Sequence, residues 1–258
     1  MLSAFQLLRH AINLLTRRPW QTIKVVAPGL ILMLGVTGLT VMLAPDLLTP
    51  SATNPQITEW SGGIMQVTLI AAFVLSYALM AVLWHRYTLS GDRAPRPMGP
   101  LLMLRYLWRV GLLTLIQLAA SLVLVLPLTL SAQASAPDID GPAMPSILLT
   151  TFITQLVLVW LSLRLSLILP AAALGRPITL LKSWQLTTRM TRALWGVATV
   201  LALINTVLTA VINLMAPPTP ERMLAIELPI YVAEGLLIFS VLTALYAHLI
   251  QKRRVFGL

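Results

Sequence analysis

Apolar residues run in six long blocks, at 25–44, 63–84, 108–130, 147–169, 194–215 and 228–250. Each reaches the roughly 20 residues that an α-helix needs to cross a hydrocarbon core about 30 Å thick. None shows the alternating pattern, ~10 residues long, of a membrane β-barrel strand. A helix satisfies its backbone N–H and C=O groups within its own segment, as lipid demands. The pattern predicts an all-α polytopic bundle of six transmembrane helices, one integral membrane domain over 1–258. No connection is long enough for a soluble domain of even ~50 residues.

Two shorter stretches have a helical period with one polar side. In 1–16, Phe5, Leu8, Ile12 and Leu15 share a face, flanked by Leu7 and Ala11, while Gln6, Arg9, His10, Asn13 and Arg17 gather opposite. In 178–192, Leu180, Leu181 and Trp184 oppose Lys182, Gln185 and Arg189. Basic amphipathic helices of this kind lie in the membrane interface and are drawn to anionic lipid. Residues 1–24 are therefore expected to form an interfacial helix and a basic approach to the first span. The apolar run that follows is too long for the core of a cleaved leader.

Composition agrees with lipid as the solvent. Hydrophobic residues make up 58% and charged residues 10%, against roughly 45–50% and 25% in soluble domains. With no cysteine in the chain, disulfides, thiolate metal sites and cysteine nucleophiles are excluded. The net charge of +10 changes meaning once its distribution is seen. Arg9, Arg17, Arg18 and Lys24 precede the first span, and Arg86, Arg93, Arg96, Arg105 and Arg109 fall between the second and third. Arg176, Lys182, Arg189 and Arg192 lie between the fourth and fifth, and Lys252, Arg253 and Arg254 follow the sixth. The alternate connections hold Asp46, Glu59, Asp138, Asp140, Glu221 and Glu227 with the single base Arg222. Basic excess marks the cytoplasmic side, so both termini are expected there. The charge reads as orientation, not as nucleic-acid affinity. Compact loops suit a bacterial inner membrane.

The tryptophans Trp20, Trp108 and Trp195 stand 88 and 87 residues apart, each where a span begins on the basic side and each within three residues of an arginine. Two readings stand. One supersecondary unit, an interfacial helix plus a hairpin, occurs as three parallel repeats. Alternatively, Trp and Arg simply mark every membrane–water boundary.

Polar groups inside spans are costly, so each is a candidate site. Glu234 falls in the sixth span, about 10 Å along the helix from Glu227, where an unpaired carboxylate would tend to hold its proton. Asn205, Thr209 and Asn213 form an i, i+4, i+8 stripe on the fifth span. With Gln155 and Gln117 they are candidates either for interhelical hydrogen bonding or for the lining of a solute path. If the loop between them is short, spans five and six are neighbours, and Glu234 is expected to bond Thr209, Asn213 or Gln155. Arg164, near the basic end of span four, has a stem long enough to snorkel to headgroups. It joins Arg9, Arg17, Arg18, Arg105, Arg109, Lys182, Arg189 and Arg192 as a candidate contact for anionic lipid. His10, His85 and His248 all fall near the basic boundary with no metal-binding spacing, so no metal or cofactor is expected. Helix breakers inside spans are few, which argues against the paired broken helices of many transporters.

The segment around Leu174-Gly175-Arg176-Pro177, continuing to Ser183-Trp184-Gln185-Leu186-Thr187, resembles uncharacterised bacterial six-span integral membrane proteins. These are grouped near the membrane domain of glycerophosphodiester phosphodiesterases, and carry an SW-x-LT turn and a Trp at the following span, here Trp195. The resemblance implies a fold and, without a soluble phosphodiesterase barrel, no activity. The reading that follows is a non-enzymatic accessory, assembly or lipid-organising protein, with anionic lipid and another membrane protein complex as its partners. The alternative is a small transporter or channel for a solute or lipid, using Glu234 and the polar face of span five.

Overall fold

The computed structural model describes residues 3–43, 60–90, 99–135, 144–215 and 223–251. Their regular elements are all helical. In chain order they are α1 (Ala4–Thr16), α2 (Pro19–Leu43), α3 (Trp60–Ser90), α4 (Pro100–Ser135), α5 (Met144–Leu165), α6 (Ile168–Ala173), α7 (Leu180–Thr188), α8 (Thr191–Met215), a π-helical turn (Met223–Glu227) and α9 (Leu228–Leu249). Six stretches are long and apolar enough to cross a membrane: Pro19–Leu43, Gly63–Ser90, Pro100–Val125, Leu148–Ala173, Thr191–Ile212 and Ala225–Leu249. The chain is an all-α, multi-pass membrane bundle. Its helices overrun the apolar blocks: α4, at 36 residues, is about 54 Å long, well beyond the hydrocarbon core.

The three hairpins pack differently. α2 lies along α3, and α4 along α5 and α6, but α8 packs on α5 whereas α9 packs on α3. α8 and α9 touch each other little, and α1 packs against both. Small residues set these approaches. A side chain at Gly29 of α2 would stand 2.8 Å from the backbone nitrogen of Met80 in α3, so glycine is what lets these two backbones come close. Gly196 of α8 plays the same part for α1, since its Cβ would meet that of Ala4 at 2.6 Å.

The N-terminal amphipathic helix forms, and a Ser3–Gln6 capping box holds its start. Its apolar side is divided, however. Leu7, Leu8 and Ala11 are buried in a core with Leu194, Val197, Leu242 and Leu245, while Phe5 and Ile12 face outward. The expected single face of Phe5, Leu8, Ile12 and Leu15 is thus two flanks, one docked on protein and one facing out. Arg9, Arg17 and Arg18 are exposed. The second amphipathic helix, α7, reverses the expectation. Leu181 is exposed and its inward residues are Ser183 and Thr187, both fully buried.

Their purpose lies in α5. The fourth span is broken at Ser166–Leu167 before continuing as α6, a helix break the sequence reading did not anticipate. Pro170 is the cause: it has no N–H to offer Ser166, and its ring crowds that carbonyl. The Leu169 amide instead donates to Ser166 over a three-residue step of 3.0 Å. Ser183 Oγ sits 2.7 Å from the Arg164 carbonyl and 3.0 Å from that of Leu165. α7 therefore docks through hydroxyls that serve carbonyls beside the break.

Candidate functional site

Two polar constellations stand out against this apolar background. The first surrounds Arg164, in the last turn of α5. The residue is 6% exposed, so its guanidinium is folded into the protein in place of the expected snorkelling. Nη2 donates to Thr188 Oγ1 at 2.9 Å and to the Trp184 carbonyl at 3.3 Å. The guanidinium carbon lies 3.8 Å from the centre of the Trp184 ring and 5.2 Å from that of Trp160. Trp160 in turn stacks on Trp195 at 4.8 Å and meets Trp184 edge-on at 5.8 Å. These contacts bring α5, α7 and α8 together around one cation. Nε is buried and has no acceptor, and no carboxylate among the described residues pairs with the guanidinium. Sequence reading found Arg164 but missed its tryptophans. Three Trp near successive span boundaries were the available signal.

The second constellation is Glu234 on α9. The Asn205 amide of α8 donates to its carboxylate at 3.3 Å. Glu234 therefore faces the bundle, as expected, but its partner is not Thr209, Asn213 or Gln155. Glu234 lies in the second turn of α9, and its partner Asn205 is one helical turn further along α8 from the 216–222 connection than Thr209. Thr209 and Gln155 are half-buried without reaching Glu234, and Gln117 is half-buried on α4. The Asn213 side chain lies outside the described residues. On the other side of α9, Tyr77 of α3 sits over Gly235, where any Cβ would collide with its hydroxyl and ring. The Tyr77 ring is also 5.3 Å from Tyr231 and 4.9 Å from Phe239.

His85, near the basic end of α3, is fully buried in the protein. Its Nδ1 is 2.9 Å from Thr243 Oγ1, whose own proton goes to the Phe239 carbonyl at 2.8 Å. His85 is therefore the donor, through Nδ1–H, and its buried Nε2 has no partner. Among the described residues no group of three or more His, Cys, Asp or Glu is placed to hold a metal ion.

The remaining lipid candidates form a rim. Arg105, Lys182, Arg189 and Arg192 are exposed, as are Arg9, Arg17 and Arg18, and Arg109 is half-buried. All belong to the end of the bundle where α2, α4 and α8 begin and α3, α5 and α9 finish. His10, on α1, is half-buried, and that burial holds its pKa below the ordinary value of 6.5. No family model, curated protein or solved structure matches the chain.

Proposed function

We propose that this chain is a non-enzymatic, lipid-organising protein of a bacterial inner membrane, with its basic end in the cytoplasm. The observation that supports this most is the concentration of exposed arginines and lysines around one end of an otherwise apolar bundle. Each such residue near an anionic membrane surface contributes roughly 1 kcal/mol of attraction. α1 adds an outward apolar flank, Phe5 and Ile12, beside Arg9, the combination that seats a helix in the headgroup layer. The same side being cytoplasmic follows from the positive-inside bias. The test compares the full chain in nanodiscs of phosphatidylglycerol and of phosphatidylcholine. Greater thermal stability in the anionic lipid, shrinking as salt rises, supports the reading; equal stability at low salt overturns it.

A second reading rests on the Asn205–Glu234 pair. A half-buried carboxylate held between two helices that otherwise touch little is a site at which a proton or cation could bind during transport. Proteoliposomes bearing Glu234→Gln decide it. Loss of uptake with intact folding favours a transporter, and unchanged behaviour favours interhelical hydrogen bonding.

A further inference from the structure

We infer that Arg164, in its clasp of tryptophans, binds the phosphate of one anionic headgroup, an inference that rests on the lipid-organising reading and gives it a specific site. A guanidinium that is nine-tenths buried needs a compensating charge or a full set of acceptors. Arg164 has neither among the described residues. Both of its hydrogen bonds leave from Nη2, to Thr188 and to Trp184. Nε is enclosed without an acceptor, and Nη1 makes no hydrogen bond with a described residue. Both edges by which a guanidinium grips two oxygens include Nη2, whose hydrogens are taken, so the donor left for a ligand is Nη1, which offers a charge-assisted hydrogen bond to one phosphate oxygen.

The surroundings suit a headgroup. Trp160 and Trp184 hold the guanidinium by their faces, which fixes the group without consuming Nη1. Tryptophans of this amphipathic kind settle at headgroup depth. Lys182 and Arg189, on the same helix α7 as Trp184, are exposed and add positive field on this side of the bundle. That field disfavours a zwitterionic lipid, which would bring its own cation toward them, so the selected group is a phosphate with net negative charge. Inorganic phosphate shares this chemistry, and the experiment separates the two sources.

The full chain is delipidated in neutral detergent and offered phosphatidylglycerol, phosphatidylcholine or inorganic phosphate at high salt, where the exposed rim is screened. Native mass spectrometry reads bound lipid, and thermal unfolding reads stabilisation. Wild type is expected to retain one phosphatidylglycerol, with retention about tenfold weaker in Arg164→Gln. Arg164→Lys keeps the charge but not the planar group that Trp160 and Trp184 hold, and should fall between them, so the proposal stays testable if Arg164→Gln fails to fold. Stabilisation of wild type but not Arg164→Lys by inorganic phosphate alone identifies free phosphate as the source; stabilisation only by lipid identifies the headgroup. The double variant Lys182→Gln/Arg189→Gln should keep the salt-resistant lipid while weakening the low-salt preference, which separates this site from the general rim. Retention by Arg164→Lys and Arg164→Gln equal to wild type, or equal retention of phosphatidylcholine, overturns the proposal.

Discussion

Asn205 and Glu234, 29 residues apart in sequence, join α8 to α9 through one hydrogen bond of 3.3 Å. Elsewhere these two helices touch little, so the pair carries a connection that apolar packing does not. Intramembrane hydrogen bonds contribute roughly 0.6–2 kcal/mol. Asn205→Leu should cost about 1–3 kcal/mol, since it also strands the carboxylate. Glu234→Gln should cost less than about 1 kcal/mol, because an amide can still accept from Asn205. Unfolding of the reconstituted chain measures both. A larger loss for Glu234→Gln than for Asn205→Leu would mean that Glu234 has a role beyond this bond.

Gly235 offers a sharper steric test. Tyr77 occupies the space a Cβ would need, with its ring carbons 2.9 Å from that position. Tyr77 is held between Tyr231 and Phe239 and has little freedom to withdraw. Gly235→Ala should therefore destabilise by about 1–3 kcal/mol, the usual range for overpacking. Adding Tyr77→Phe should recover part of that loss by removing the oxygen, and no recovery would place the clash elsewhere.

The six spans were legible in the sequence because lipid imposes a single rule on every residue of a crossing helix, namely to be apolar over about 20 positions. The overall presence of α1 and α7 was legible for a similar reason, since their periodicity is helical. Which face docks was not. Leu7 and Phe5 are both apolar, and no local signal shows that Ala4, on the side Leu7 shares, seats against Gly196 of α8. Ser183 and Thr187 look like an exposed polar face until the carbonyls beside the Pro170 break are seen to need donors. The aromatic clasp on Arg164 draws Trp160, Trp184 and Trp195 from three elements, a convergence that no local spacing encodes. Glu234 was legible as an anomaly, while its partner depended on the relative depth of two helices.

Orientation can be checked with cysteines, and the structure alters which positions are useful. Ser183 is fully buried against Arg164 and Leu165 carbonyls, so a cysteine there would resist labelling from either side. Gln185 and Arg176 are exposed at the basic end. Cysteines at those two positions should be inaccessible to an impermeant thiol reagent in intact cells, and reactive after permeabilisation. Cysteines at Ser51 and Thr219, in the acidic connections, should react without permeabilisation. The reverse pattern would overturn the assignment of the basic end to the cytoplasm.

The docking of α1 should respond to both packing and pH. Ala4 lies so close to Gly196 that a Cβ there would be at 2.6 Å. Gly196→Leu should therefore lift the start of α1 from α8 and expose the amides around Leu7, whereas changes at the outward Phe5 should not. His10 supplies the pH dependence. Burial lowers its pKa from 6.5 in the folded chain, so the folded state binds its proton less readily than the unfolded state does. By linkage, its contribution is fully present above about pH 6.5. As pH falls, the unfolded state takes up the proton first, and stability declines until the folded His10 also titrates. Acidification from about pH 7.5 to 5 should thus lower the unfolding temperature of wild type more than that of His10→Gln, which has no proton to gain. Equal pH dependence in the two proteins would show that α1 docks without involving His10.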